Sequence, residues 1–422
     1  MHKRFLQPKE LPGAKNPHRI PSVGNTNQLH KRGDMITFRI GSHFEIEYHF
    51  VHWQEKKVLK RVLIWTLPVL LLAVAAFASQ FSSPSKPANL NAGLTDADRA
   101  WRPQKGKGYL EAWNFWGQGQ GKSVIVAQFI ISNTGFESNF PGYNITVVTP
   151  EGKNVSVFKE SKAKTLKAST SALSVAFPGA KISGTHPKFH VQLDDPRIKL
   201  DLTFMALSPG ILDGNQEGRF RFGKKLEDFI ALSLIAPHAE VTGTATVDGN
   251  SFQFKGQGYI DHTFQNALAT SFSKRWYSFR FFNDHYTVVH VGFRTSKPEL
   301  PPYAGQTVVL KDDKIVAYSQ KAVVEEIGSM KVAKSGQIIP EKVRFKLNDG
   351  PVSLDVVTDY RDRFDTLEVL GRLNPITRTI ISTFIADPYI YRSNHNGSMK
   401  LDLGQGEQTI QGETINQLIL LE

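Results

Sequence analysis

The sequence predicts an all-β protein, with antiparallel strands closing into two barrels behind one membrane-spanning segment and a basic N-terminal tail. Three observations carry this. From residue 106 onward, short apolar or alternating runs recur between turn signals with almost no helical periodicity. About 320 residues follow the N-terminal part, which suits two domains of ordinary size. One charge-free apolar stretch stands in front of them.

Taken in order, residues 1–61 are rich in Pro, Gly, Asn, His and Lys without a sustained period, and are read as a basic, cytoplasmic, largely disordered region. They hold 12 Lys and Arg against 5 Asp and Glu, whereas the other 361 residues hold 39 against 34. The net charge of +12 is therefore concentrated ahead of the apolar stretch. That distribution fits membrane topology better than a phosphate-binding surface, so no nucleic-acid partner is expected.

Val62–Ser79, VLIWTLPVLLLAVAAFAS, is followed by no charge until Lys86, long enough for a spanning helix of about 20 residues. Lys56, Lys57, Lys60 and Arg61 precede it, so the N-terminus should stay cytoplasmic and the bulk of the chain should lie on the other side, periplasmic in a Gram-negative cell. Ala76-Phe77-Ala78 offers a signal-peptidase site, but a 61-residue basic region is far longer than a signal peptide carries. A signal anchor is the reading; a start at Met35 would shorten the tail and favour cleavage. Residues 80–105 read as a polar linker.

Beyond the linker, strand candidates include Gly108–Trp116, Ser123–Ser132, Tyr143–Thr149, Lys199–Ala206, Ala239–Val247, Ser251–Phe264, Trp276–Phe282, Tyr286–Arg294, Val352–Tyr360, Tyr389–Leu403 and Gln408–Leu421. Turn signals such as Asp213-Gly214, Asp248-Gly249 and Asn348-Asp349-Gly350 punctuate them. Closing such strands into barrels removes exposed edges. Lys224–Ile235, KKLEDFIALSLI, is the exception and reads as a short helix.

Several motifs mislead. Gly117 to Ser123, GQGQGKS, lacks the spacing of a phosphate loop and runs into a strand, so it reads as a hairpin loop. His186 and His190, with Asp194 and Asp195, sit in strand context where an i,i+4 pair lies about 13 Å apart, too far to share a metal. With no cysteine, thiolate sites and a Cys nucleophile are excluded. No strand-to-helix Gly-x-Ser-x-Gly elbow supports a serine hydrolase. No metal and no cofactor are expected.

The most informative run is Gly256–Asn266, GQGYIDHTFQN, where an acid and a histidine are neighbours in a strand. Neighbours in a strand face opposite ways, so one of Asp261 and His262 should line a pocket or interface while the other points away. Gly108-Tyr109-Leu110-Glu111 repeats the order of Gly258-Tyr259-Ile260-Asp261, which predicts equivalent strands in two barrels meeting near residues 245–260.

Val241–Asn266, followed by Arg275-Trp276-Tyr277-Ser278-Phe279, resembles the carotenoid 1,2-hydratase (hydroxyneurosporene synthase) superfamily, which includes AttH-like proteins of two lipocalin-like barrels. Gly258, Tyr259, Asp261 and His262 stand where that family has Gly-Tyr-x-Asp-His; Glu111 to Phe115 is similar to its opening segment, and Gly404 to Glu413 to its Gly-rich final strands. The resemblance implies lipocalin-like domains at 106–250 and 251–422. Thr263 and Phe264 replace the family's Asn and Trp, and His290 and Gly292 stand nearest to its later Tyr-x-Asp pair, so the acid there is absent.

Two functions follow as expectations, beside a structural reading in which Asp261 and His262 form a buried hydrogen-bonded pair that holds the junction of the two barrels. One is binding of an apolar, isoprenoid-like or lipid molecule by membrane-tethered barrels; the other is hydration, isomerisation or cyclisation of an isoprenoid-like alkene. Catalysis would use Asp261 as an acid kept protonated by burial and His262 as its partner. Phe264, Trp276 and Tyr277 would face a developing cation, with Tyr259, Glu111 and Trp113 as further ligand contacts.

Overall fold

Strand β4 (Leu110–Gly119) and strand β16 (Asn250–Gln265) set the architecture, because each has bulky buried side chains on both faces. A strand covered on both sides belongs between two cores. The computed structural model describes residues 35–40, 44–49, 80–133, 138–212, 218–368 and 388–421, the first two stretches by their backbone alone. The chain divides into two compact units, residues 1–74 and 75–422.

In the first unit, β1 (Met35–Ile40) and β2 (Phe44–His49) pair as an antiparallel hairpin inside the region read as largely disordered. The alternating Phe44-Glu45-Ile46-Glu47-Tyr48 is a strand pattern in its own right. The expected span Val62–Ser79 lies outside the described residues. Among the described residues no helix is long and apolar enough to cross a membrane.

The second unit contains two large antiparallel sheets. The first also uses β3 (Gln80–Ser82), β5 (Val124–Ser132), β6 (Phe140–Val148), β7 (Asn154–Glu160), β8 (Lys167–Ala168), β9 (Leu173–Phe177) and β10 (Ala180–Thr185). It continues with β11 (Lys188–Asp194), β12 (Ile198–Ala206), β13 (Ile211–Leu212), β14 (Arg219–Gly223) and β15 (Asp228–Val247). Its order is β7-β6-β5-β4-β16-β15-β12-β11-β10-β9-β8, with β13 and β14 on β15 and β3 on β14.

The second sheet comprises β17 (Ser273–Phe282), β18 (Tyr286–Thr295), β19 (Tyr303–Lys311), β20 (Lys314–Ser319) and β21 (Val323–Ile327). A small ribbon, β22 (Met330–Lys331) with β23 (Ile338–Ile339), stands apart from it. β24 (Lys342–Asp349), β25 (Val352–Asp359), β26 (Arg363–Glu368), β27 (Tyr389–Leu403) and β28 (Gln408–Leu420) complete it. Its order is β20-β19-β18-β17-β28-β27-β25-β24-β21, with β26 on β27.

Four expectations change. Lys224–Ile235 is a turn followed by β15, not a helix; residues 229–237 are buried on both faces, which erases the period-2 signal. Register shifts around Ala236 bend this 20-residue strand and accommodate Pro237. The apparent repeat is not a pair of equivalent strands: β4 and β16 are hydrogen-bonded neighbours, with Trp113 opposite His262 and Asn114 opposite Asp261. Glu111 lies opposite Phe264, so the two acids of the apparent repeat point to opposite faces of this ladder. The break between sheets accordingly falls between β16 and β17, not at residue 250, which sits at the tip of the β15–β16 hairpin.

Residues 80–105 are not a free linker either. Phe81 pairs with Phe222, and the Asn91 side chain donates to the Ile315 carbonyl and accepts from its N–H, each at 3.0 Å. Thr95 and Asp98 form a capping box on a one-turn helix, α1 (Asp96–Arg99).

Each sheet wraps its own core. The first contains Trp113, Phe115, Phe129, Tyr143, Phe189 and Phe204; the second contains Phe279, Val288, Phe345, Tyr391 and Leu418. A third apolar cluster, including Trp116, Leu232, Leu234, Tyr259, Phe282, Val291, Val308 and Ile415, lies between the sheets and joins them.

Candidate functional site

Alternation along β4 and β16 sorts the predicted residues into two sets. Glu111, Trp113, His262 and Phe264 face the first core; Asn114, Trp116, Tyr259, Asp261 and Thr263 face the second sheet. Asp261 and His262 therefore do not act on each other, and the expected acid–partner pair is replaced by two separate clusters.

The inner cluster is sealed. His262 Nε2 lies 2.7 Å from Glu111 Oε1, with both side chains fully buried. The Tyr109 hydroxyl donates to Glu111 Oε2 at 2.5 Å, and the Arg102 N–H donates to both carboxylate oxygens at 3.0 Å. Trp113 stacks on the imidazole at 4.8 Å and donates its indole N–H to the Arg99 carbonyl. Phe264 lies beside His262, covered by the guanidiniums of Arg102 and Arg219. The segment around α1 thus closes this end of the first core.

The outer cluster borders a cavity of about 190 Å³ between the sheets. Leu110, Ala112, Trp116, Ile230, Leu232 and Trp276 supply apolar wall; Asn114, Gln128, Asp261, Thr263, Ser278, Arg280 and Gln417 supply polar groups. Asp261 accepts from Asn114 Nδ2 at 2.6 Å and from the Thr263 hydroxyl at 3.3 Å, while Arg280 Nη2 stands 3.5 Å from its other oxygen. Gln128 donates to Asn114 Oδ1 at 2.8 Å, extending the chain of hydrogen bonds. Burial raises the Asp261 carboxyl above its usual range, against Arg280 and the donors that hold it down. Burial likewise pushes the Tyr259 phenol well up.

Arg280 lies between two aromatic faces, 4.2 Å from the Trp116 ring centre and 4.4 Å from that of Tyr259. A second buried cation, Arg392, stands 5.5 Å from the same Trp116 ring. Its guanidinium donates to Asp365 Oδ2 at 2.6 Å and to the cavity residue Gln417 at 3.0 Å. Thr146, from the first sheet, donates to the same Asp365 oxygen at 3.1 Å, so this ion pair also ties the sheets together.

Of the eight predicted site residues, the structure puts Asp261 and Trp276 on the cavity, with Tyr259 behind Arg280. Tyr277 contributes to the wall, but its phenol turns into the second core and donates to Glu326 at 2.6 Å. Glu111, Trp113, His262 and Phe264 belong to the sealed cluster. His290 is fully buried in the second core, hydrogen-bonded to Thr307 and Tyr303 at 2.8 and 2.6 Å, and burial pushes its pKa down to about 3. The Tyr303 ring occupies the space over Gly292. Sequence reasoning missed Asn114, Arg280 and Gln417. A charge inside the aromatic strand Trp276–Phe282 was the available signal for Arg280.

Two antiparallel sheets, each around its own core, leave a polar-lined cavity between them. The fold is similar to that of an AttH-type protein from Nitrosomonas europaea (TM-score 0.53, 11% identity, covering 79% of this chain and 99% of that one). It is also similar to kievitone hydratase from Nectria haematococca (TM-score 0.53, 13% identity, 82% and 98%) and to CghA crystallised with Sch210972 (TM-score 0.52, 12% identity, 82% and 98%). No curated protein matches in sequence. The profile of the Svf1 family matches residues 75–419, and the chain belongs to that family.

Proposed function

We propose that this protein binds an apolar small molecule, isoprenoid-like or lipid, between its two sheets, tethered to a membrane by Val62–Ser79. The carrying observation is the inter-sheet cavity, apolar along most of its wall and polar where Asp261, Asn114 and Arg280 converge. A few placed polar groups in an apolar pocket orient a ligand. Cavities of about 150 Å³ admit benzene, so about one ring or a short branched chain fits within, and the remainder of a larger ligand would extend outward. Mass spectrometry of lipids extracted from the purified protein tests the reading. An apolar compound retained by the native protein and lost from Trp276→Asp supports it; no difference between the two rejects it.

Asp261 favours a second reading, a hydratase, isomerase or cyclase. A carboxyl whose pKa is raised by burial can protonate an alkene carbon, and the Trp276 ring, which lines the cavity, can stabilise the cation formed. Water then adds to the cation, and its proton returns to Asp261. One structural relative carries the name hydratase. A recovered product heavier by one water, absent with Asp261→Asn, would establish turnover.

The membrane tether rests on the charge bias around Val62–Ser79, which favours an orientation with residues 80–422 on the non-cytoplasmic side. A reporter fused after Glu422 that is active only when exported checks this orientation.

A further inference from the structure

Phe81 stands two residues past the apolar segment Val62–Ser79. It packs against the cluster of Phe220, Phe222, Ile230, Phe272, Phe293 and Leu300, as do Ala269 and Trp276. Ala269, Trp276 and Ile230 also line the inter-sheet cavity. The chain arriving from the apolar segment is therefore fixed to one edge of the cavity.

This edge has a half-buried apolar ring and a rim of four lysines and three carboxylates. Phe81, Leu268, Ala269, Trp276 and Leu421 are half-buried. Gln80 pairs with Gly223, immediately before the exposed Lys224 and Lys225. Lys297 is exposed and close enough to Asp228 to oppose the rise that burial imposes on that carboxyl, and Lys274 is exposed two residues beyond Phe272. Glu227, Asp228 and Glu299 share the rim, with Glu227 accepting from the Lys225 N–H. An apolar ring containing Trp with lysines around it is the composition that settles at a bilayer interface.

We infer that this face is a lipid-docking surface that turns the cavity edge formed by Ala269 and Trp276 toward the bilayer, so that ligand enters from the membrane and not from water. The inference rests on the proposed apolar-ligand reading and on the tether. Gln80 and Phe81, the first described residues after the apolar segment, lie in β3 at this edge, which supports it.

The chain has no cysteine, so single cysteines can be labelled without background. The full chain is reconstituted in phosphatidylcholine vesicles with and without phosphatidylserine, carrying a fluorophore at Lys225→Cys, Lys297→Cys or Asn250→Cys, the last at the tip of the β15–β16 hairpin. Quenching by nitroxide headgroup lipids should be strong at 225 and 297 and weak at 250. Lys224→Glu with Lys225→Glu should reduce the quenching at 297 several-fold in the anionic vesicles. Equal quenching at all three positions, or none at 225 and 297, overturns the docking face. Binding of parinaric acid, followed in parallel, separates the two ideas. Uptake that persists without quenching rejects docking alone, whereas quenching without uptake rejects the ligand reading of the cavity and with it the entry route.

Discussion

The two faces of the β4–β16 ladder share residues adjacent in sequence and differ in how far their polar atoms are satisfied. On the inner face, both Glu111 oxygens and His262 Nε2 have close partners. On the outer face, Arg280 Nε and Trp116 Nε1 have none among the described residues, and Asp261 is held only loosely by Arg280. A network closed on itself contributes to stability, whereas buried groups with bonding capacity left over, beside a cavity, cost stability and serve a site. The difference teaches that Asp261 and His262 have separate roles despite their adjacency.

The sharpest way to break the comparison is Glu111→Ala, which strips an acceptor from His262, Tyr109 and the Arg102 N–H. A loss of about 3–5 kcal/mol in urea unfolding is expected. Asp365→Ala leaves Arg392 buried without its carboxylate and should cost about 3 kcal/mol, while also loosening Gln417 at the cavity. A variant here as stable as the parent would remove this pair from the account of how the sheets are joined.

The titrations of His290 and Asp261 sharpen the contrast. His290 in the folded protein has its pKa pushed to about 3, well below the ordinary value near 6.5. Between these values the unfolded chain binds more protons, so stability falls as pH drops through that window, and His290→Gln should flatten the slope. Asp261 has the opposite sign. Its folded pKa is raised, so the folded state binds more protons above the ordinary carboxylate value, and stability falls as pH rises through that window.

The smallest effect on stability is expected from Asp261→Asn, within about 1 kcal/mol of the parent at neutral pH, because the burial cost of the charge disappears along with its hydrogen bonds. Melting temperatures from pH 4 to 7 should lose their Asp261 slope while ligand retention or turnover collapses. A large loss of stability with normal ligand retention would reverse the assignment of the two faces.

Much of the fold was legible because strands such as Ile198–Ala206, with alternating buried and exposed residues, advertise one covered face. Phe229–Pro237 was not, because burial on both faces removes the alternation. Of the site, the opposite facing of Asp261 and His262 follows from strand geometry alone. Which of them met the cavity did not, since that depends on Arg280, 19 positions further along, arriving from another sheet.

The paired bonds between Asn91 and Ile315 span 224 residues of chain. During synthesis the strap around Asn91 emerges early and waits until most of the protein has followed before its partner exists. Closing so long a loop carries an entropic cost that only a formed second sheet can offset. Once residues up to about 270 have emerged from the ribosome, the first sheet can therefore form with its strap undocked, and the apolar cluster between the sheets stays open until the second sheet has followed.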